Sequence, residues 1–507
     1  MKYTNPIIPG FHPDPSICRV GEDYYLVNSS FEYFPGVPIY HSRDLMHWRQ
    51  IGHCLTRESQ LPLTGVKASD GIYAPTIRYH EGRFYMITTN MNGGGNFYVW
   101  TEDPAGEWSE PIWVAQKGID PSLLFENGKV YLTSNGSLWA PVRGIYQCEI
   151  DIETGRQLTE TKFLWPGNGG AYPESPHLYH IGEWYYLLIA EGGTAEGHSS
   201  TIARSLDPYG PFESCPHNPI LTHRSLMNEI QATGHADLIE DHHGNWWAVF
   251  LGYRYGEYSW HHLGRETYLA PVEWTADGWP VVNGGNKVTP LMEIDRPMTP
   301  CPVPGRAEYD DFNSETLGFE WNHLRNPDPA DYSLTNRPGW LMLACASPTL
   351  DELASPSFLG RRQEHFHCAV TTLIDFVPTN EQEEAGLTVL ADNKHHYEIA
   401  VTIRRGNLCA IVRRRIGTLV AEVACSDLPS GPIELQIIAD PIIYRFLAGK
   451  PGNLTELATG EVRYLSTQVA GGYTGVYFGL YATANGVKSQ AEAFFDWFDY
   501  KVKKETE

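Results

Sequence analysis

Three acidic residues of this chain sit in stiff, repeated surroundings. Asp14 lies between two prolines in "HPDPS", Asp120 precedes a proline in "GIDPS", and Glu174 follows one in "YPESPH". Proline fixes φ and removes a backbone donor, so a carboxylate beside it is held in place. Carboxyl groups gathered around one small pocket cannot all behave alike, because like charges in a confined site push at least one pKa upward. Two carboxyls with separated pKa values can act as general acid and general base at one pH. Breaking a glycosidic bond asks for such a pair: one acid protonates the leaving oxygen, and one carboxylate activates water or attacks directly. The plainer alternative is that the aspartates cap turns.

The repeats say how residues remote in sequence could meet. A glycine, a polar residue and an aromatic or apolar run recur as "GEDYYLV" at Gly21, "GRFYMIT" at Gly82, "GKVYLTS" at Gly128, "GEWYYLL" at Gly182 and "GNWWAVF" at Gly244. Glycine at a turn followed by such a run reads as a hairpin entering a strand. Asp14, Ala74, Asp120, Glu174 and His235 stand seven to nine residues before these glycines. Few segments show helical apolar periodicity. The reading is all-β: a five-bladed β-propeller over 1–294, in which the first strand of every blade lines a central channel and equivalent positions converge. The proline-rich "DRPMTPCPVPG" cannot continue a central strand, so 295–306 reads as a linker. Alternating runs such as "HYEIAVTIRRGNLCAIVRRR" and "PIELQIIAD" then predict a jelly-roll-like antiparallel β-sandwich over 307–507.

Bulk properties narrow the partners. At 507 residues two or three domains are expected. The net charge of −24 argues against nucleic acid, since phosphate would be repelled. No stretch approaches the roughly 18 apolar residues of a membrane helix, so no membrane partner is expected. A homo-oligomer is left open. "MKYTNPIIPGF" lacks a charged head followed by an apolar run, and the nine scattered cysteines form no CxxC pair; both point to a cytoplasmic protein with reduced thiols. Fifteen Trp and 29 Tyr suit stacking on sugars and equally fill β cores. "NGGGN" lacks the ending of a phosphate loop, the paired histidines lack an HExxH helix, and no GxSxG elbow occurs. Asp310, Asp311 and Asp496 in the second domain could hold a structural calcium; no cofactor is expected to be required.

The phrases "NPIIPGFHPDPSI", "GIYAPTIRYHEGRFYMITTNM", "GIDPSLLF", "YPESPHLY", "IAEGGT", "GHADLIE" and "HHLGRETYLAPVEW" together resemble glycoside hydrolase family 43, with most likeness to its β-xylosidase and α-L-arabinofuranosidase branch. The resemblance runs over essentially the whole chain. It implies an inverting mechanism with Asp14 as general base, Glu174 as general acid, and Asp120 orienting Glu174 and keeping its pKa high. Arg265 of "LGRET" would reach the sugar hydroxyls and Asp14. Phe31 and Tyr73 would wall the sugar subsite beside Ala74, with Trp139 and Thr194 as substrate contacts. His235 would sit near the channel axis, often beside a hydrated calcium in relatives; a satisfied core histidine is the alternative. The branch often carries glycine where Ser175 stands. The sandwich would pack on the propeller and lend a loop that closes one end of the pocket, favouring exo action. The expected activity is release of terminal β-1,4-linked xylose or α-L-arabinofuranose from xylooligosaccharides or arabinoxylan fragments. A non-catalytic carbohydrate-binding propeller and a retaining five-bladed enzyme such as a fructosidase are the alternatives.

Overall fold

Each of the five glycine-led phrases opens the second strand of an antiparallel sheet in the computed structural model, which describes residues 2–136, 140–296 and 299–503. The sheets begin with Ser16–Val20, Thr76–His80, Ile119–Glu126, Glu174–Ile181 and Ile230–Glu240, and each first strand lies at a sheet edge beside those of its neighbours. They are the blades of a five-bladed propeller, numbered 1 to 5 in that order. Strands that pack on both faces read as continuous apolar runs: in Trp246–Arg254 every residue between the two ends is buried.

The ring is closed by the N-terminal segment. Lys2–Thr4 pairs antiparallel with Leu291–Glu293. Ile7 N–H donates to Thr267 O (2.9 Å), Gly10 N–H to Glu266 Oε1 (2.8 Å) and His12 N–H to Arg265 O (2.9 Å). The start of blade 1 is thereby sewn to the third strand of blade 5, Glu266–Trp274.

The C-terminal half is a sandwich of a six-stranded and an eight-stranded sheet. Alternate residues of Ile433–Ala439 are buried, the period-2 signature of one face on a core. Val370, Leu387, Ile399, Val412, Leu435, Phe446, Phe478 and Phe495 fill the space between the sheets. Full burial of such a side chain contributes about 1.5–3 kcal/mol.

The two halves share a core. His323–Leu324 pairs with Tyr33–Phe34 of blade 1, and the Tyr33 and Tyr477 rings stack at 4.0 Å. Phe11, Phe31, Leu324, Phe358 and Tyr481 belong to the same buried cluster. Two residues of the proline-rich stretch lie against the propeller: Arg296 donates to Trp246 O and Val272 O, and Cys301 N–H donates to Asp44 Oδ2 at 2.7 Å. No helix among the described residues is long and apolar enough to cross a membrane.

Candidate active site

The inner strands of blades 3, 4 and 5 carry register shifts between Ile119 and Ser122, Glu174 and His177, and Gly234 and Asp237. A residue at each shift adopts the left-handed region: Asp120 (φ 53°), Ser175 (φ 53°) and His235 (φ 52°), with Asp14 (φ 53°) just before the first strand of blade 1. The backbone therefore equates Ser175 with Asp14, Asp120 and His235, whereas counting back from the glycines equates Glu174 with them. Glu174 stands one residue earlier. The spacing to the glycines varies from seven to nine residues, so a count does not separate Glu174, eight before Gly182, from Ser175, seven before it. Glycine at 175 would suit the same backbone.

Asp14, Asp120 and Glu174 all line one cavity of about 440 Å³. Phe31, Tyr73, Ala74, Thr194, His235 and Arg265 line it too, so these expected residues are brought together. Trp139 lies outside the described residues.

Asp14 is the most tightly held. Ser29 Oγ donates to its Oδ2, Arg265 Nη1 donates to its Oδ1 at 2.7 Å, and His235 Nδ1 lies 3.5 Å from Oδ1. Its peptide is fixed by the Asn28 amide, which donates to His12 O (3.0 Å) and Pro13 O (2.8 Å), and by Thr267 Oγ1, which donates to His12 O at 2.7 Å. Burial pushes its pKa up, but the Arg265 guanidinium and the Ser29 hydroxyl outweigh it and hold Asp14 below the usual carboxylate range.

The other two carboxyls go the opposite way. Burial, then the charge of Asp14, raise Asp120 to about 7, against the Ser175 N–H that donates to its Oδ2 at 3.0 Å. Burial, then Asp120 and Asp14, push Glu174 well above the ordinary glutamate range. The site thus favours the ionised form of Asp14 and the acid form of Glu174. The approach to Glu174 is braced as well: Asn135 Nδ2 donates to Pro173 O at 2.6 Å, and the buried Glu191 accepts from Asn168 N–H and Gly170 N–H.

Aromatic rings form the walls. Phe31 lies 5.3 Å from Tyr73 and stacks on Tyr473 at 6.0 Å, while Tyr73 meets Tyr473 edge-on at 6.1 Å. Flat apolar rings with a polar edge suit the face of a sugar. Thr194 Oγ1 accepts from Arg265 Nη1 at 3.2 Å. Deeper in the channel, Asp237 of blade 5 accepts from Ser16 Oγ (2.7 Å), Arg78 Nη1 (2.9 Å) and Tyr179 OH (2.5 Å), tying blades 1, 2 and 4 to it across the axis.

Three residues of the site were not legible in the sequence. Ser29 belongs to an ordinary polar run, and Tyr172 is an exposed ring on the rim. Tyr473 comes from the sandwich and supplies the closing loop. Its only local signal is the glycine-rich "GGYTG": a Cβ on Gly475 would fall 2.3 Å from Leu263 O, so the loop must approach that backbone without a side chain.

Among the described residues no group of three His, Cys, Asp or Glu side chains is arranged to hold a metal ion. Asp310 accepts from Phe312 N–H (2.9 Å) and the Trp321 indole (2.8 Å), so both its oxygens are engaged. Burial pushes His235 down to about 4, leaving a neutral imidazole, the form able to face a water molecule or a hydrated ion.

Residues 3–280 match the family model of glycosyl hydrolases family 43, and residues 309–501 match the beta xylosidase C-terminal concanavalin A-like domain. The chain belongs to glycosyl hydrolase family 43. It is 45% identical over 506 residues to the non-reducing end alpha-L-arabinofuranosidase of Bacteroides ovatus, covering 98% of this chain and 94% of that one. It is 40% identical to a xylosidase/arabinosidase of Butyrivibrio fibrisolvens, with 98% of both chains covered. A solved Bacteroides ovatus structure, described as its xyloglucan PUL GH43B, superimposes with a TM-score of 0.96 at 43% identity, covering 99% of this chain and all of that one. As a family 43 member this chain is a glycoside hydrolase built from a propeller and a sandwich.

Proposed function

We propose that this hydrolase removes single pentoses from the non-reducing ends of short oligosaccharides with inversion at the anomeric carbon. Asp14 takes a proton from a water molecule as the water oxygen bonds to the anomeric carbon. Glu174 gives its proton to the leaving glycosidic oxygen as that bond breaks on the opposite face. Asp120 holds the Ser175 amide at the bulge that aims Glu174 and, as a neighbouring acid, keeps the proton on it. The observation that carries this reading is the convergence of Asp14, Asp120 and Glu174 on one cavity with Arg265 donating to Asp14 at 2.7 Å, an arrangement that lowers the pKa of Asp14 and raises that of Glu174. An inverting pair stands about 6.5–9.5 Å apart, with room for the water.

The names of the relatives supply the substrate class: α-L-arabinofuranosides and β-xylosides. Phe31, Tyr73 and Tyr473 enclose one sugar, which favours exo action. Every chemical step is assigned to side chains and water, with no cofactor. We place the work in the cytoplasm, on imported fragments, where the free cysteines stay reduced. Nitrophenyl xyloside, nitrophenyl arabinofuranoside, xylobiose and arabinosylated xylotriose, followed by NMR of the first-formed anomer, test the proposal. Inverted pentose is expected. A retained anomer indicates a retaining glycosidase of the fructosidase kind, and no turnover of any pentoside indicates a carbohydrate-binding propeller.

A further inference from the structure

Behind the loop that roofs the pocket lies a buried carboxyl that takes no part in the chemistry. The Tyr473 backbone is held at both ends: its N–H donates to Ser69 Oγ at 2.8 Å, and its carbonyl accepts from Arg265 Nη2 at 3.4 Å. Ser69 sits at φ 64°, and its own N–H donates to Glu32 Oε2 at 2.9 Å. A Cβ on Gly472 would fall 2.5 Å from Ser69 Oγ, so loop and serine are in full contact. Glu32 is 1% exposed, directly follows the wall residue Phe31, and accepts at its carbonyl from Arg325 N–H of the sandwich at 2.8 Å. Hydrogen bonds thus run from Glu32 through Ser69, Tyr473 and Arg265 to Asp14. A carboxyl is costly to bury unless its hydrogen bonds are met, and this one is met by the amide that sets the loop's anchor.

We propose that Glu32 and Ser69 are positioning residues. They fix the Tyr473 loop over the pocket and, through its carbonyl, the seating of Arg265 against Asp14. Neither touches the sugar. The inference rests on the proposed roles of Asp14, Arg265 and Tyr473.

The test uses the full chain in four single variants, Ser69→Ala, Glu32→Ala, Glu32→Gln and Tyr473→Ala, and in the Ser69→Ala/Tyr473→Ala double variant. Loss of one neutral hydrogen bond corresponds to about a 2- to 12-fold change. Ser69→Ala and Glu32→Ala are expected to raise KM for the nitrophenyl pentoside by that factor. Glu32→Gln, whose amide oxygen can still accept from Ser69, should keep the wild-type KM. In the Tyr473→Ala background, which removes the ring but keeps the backbone N–H and carbonyl, Ser69→Ala should add less than it does in the wild type, the remainder running through the Tyr473 carbonyl to Arg265. Hydrogen exchange of the peptide spanning 466–476 is read alongside and needs no substrate: faster exchange is expected in Ser69→Ala. Unchanged exchange, a wild-type KM in Ser69→Ala, or a fully multiplicative double variant overturns the inference. If Glu32→Ala does not fold, the Ser69 and Tyr473 cycle still decides. Wild-type protein that turns over no pentoside refutes the functional proposal, while exchange still decides this one.

Discussion

Replacing Glu174 by glutamine removes the proposed proton donor and little else, since the amide keeps the shape and leaves the Asp14, Arg265 and Ser29 contacts intact. A general acid supplies about 10²–10⁴-fold, or about 2.7–5.4 kcal/mol at 1.36 kcal/mol per tenfold. Burial and two neighbouring carboxyls raise the Glu174 pKa and so favour its acid form. The expected loss on xylobiose or an arabinosylated oligosaccharide is therefore in the upper part of that range, about 10³–10⁴. A nitrophenolate leaves with little protonation, so the aryl pentosides should lose no more than about tenfold. On natural substrates kcat and kcat/KM should fall together, because the proton is needed only in the transition state. The pH profile adds a sign. Glu174 is the proposed acid and its pKa is raised, so wild-type activity should fall as pH rises through that pKa. Asp14, as the proposed base, must be ionised and its pKa is depressed, so activity should also fall as pH drops through that one. Glu174→Gln should flatten the alkaline fall and leave the acidic one. Stopped assays on both substrate classes across pH give the answer, and equal losses on the two classes refute the assignment.

Other outcomes are equally specific. Asp14→Ala should cost both substrate classes at least about 10²–10⁴-fold, and the buried Arg265 left without its carboxylate should cost about 3–5 kcal/mol of stability by calorimetry. Near-normal turnover of either class contradicts this. Gly118→Ala would place a Cβ 1.6 Å from Asn135 O at φ 112°, so a loss of about 1–3 kcal/mol in thermal unfolding and a fall in activity through Asp120 are expected. An unchanged Tm would count against that contact. In the sandwich, burial opposes but Asp351 and Glu398 prevail, and they raise His396 from 6.5 to about 9. A raised folded pKa stabilises fully below the unfolded value and is lost as pH rises through the folded one. The Tm gap between wild type and His396→Gln should thus shrink from about pH 6.5 to 9, and a widening gap refutes it.

What could be read in advance was whatever local chemistry imposes. Glycine turns and aromatic runs announce the blades because each blade must repeat the same hairpin. The prolines beside Asp14 and Asp120 announce residues held in unusual backbone. The offset at Glu174 escaped because the spacing to the glycines varies by two residues, which is too loose to separate Glu174 from Ser175. Tyr473 escaped because docking of one domain on another depends on surfaces that no local pattern encodes. Asp310 reads from the sequence as one of an acidic group, and the Trp321 indole that donates to its Oδ2 comes from a position the local pattern does not connect to it. The prolines of 295–306 read as a linker, and Arg296 and Cys301 of that stretch make hydrogen bonds to the propeller that the prolines do not announce.

The join that closes the circle also runs through the catalytic apparatus. Asp14 stands on the first blade and Arg265 enters the last, 251 positions apart, and their 2.7 Å contact bridges the one place where the circle is not continuous chain. Gly10, His12 and Thr267 stitch that same place. Slight parting of the circle there would release Asp14, the proposed base, from its cation while most sheets stayed intact. Heat or mild denaturant should therefore silence this enzyme ahead of the collapse of its β structure.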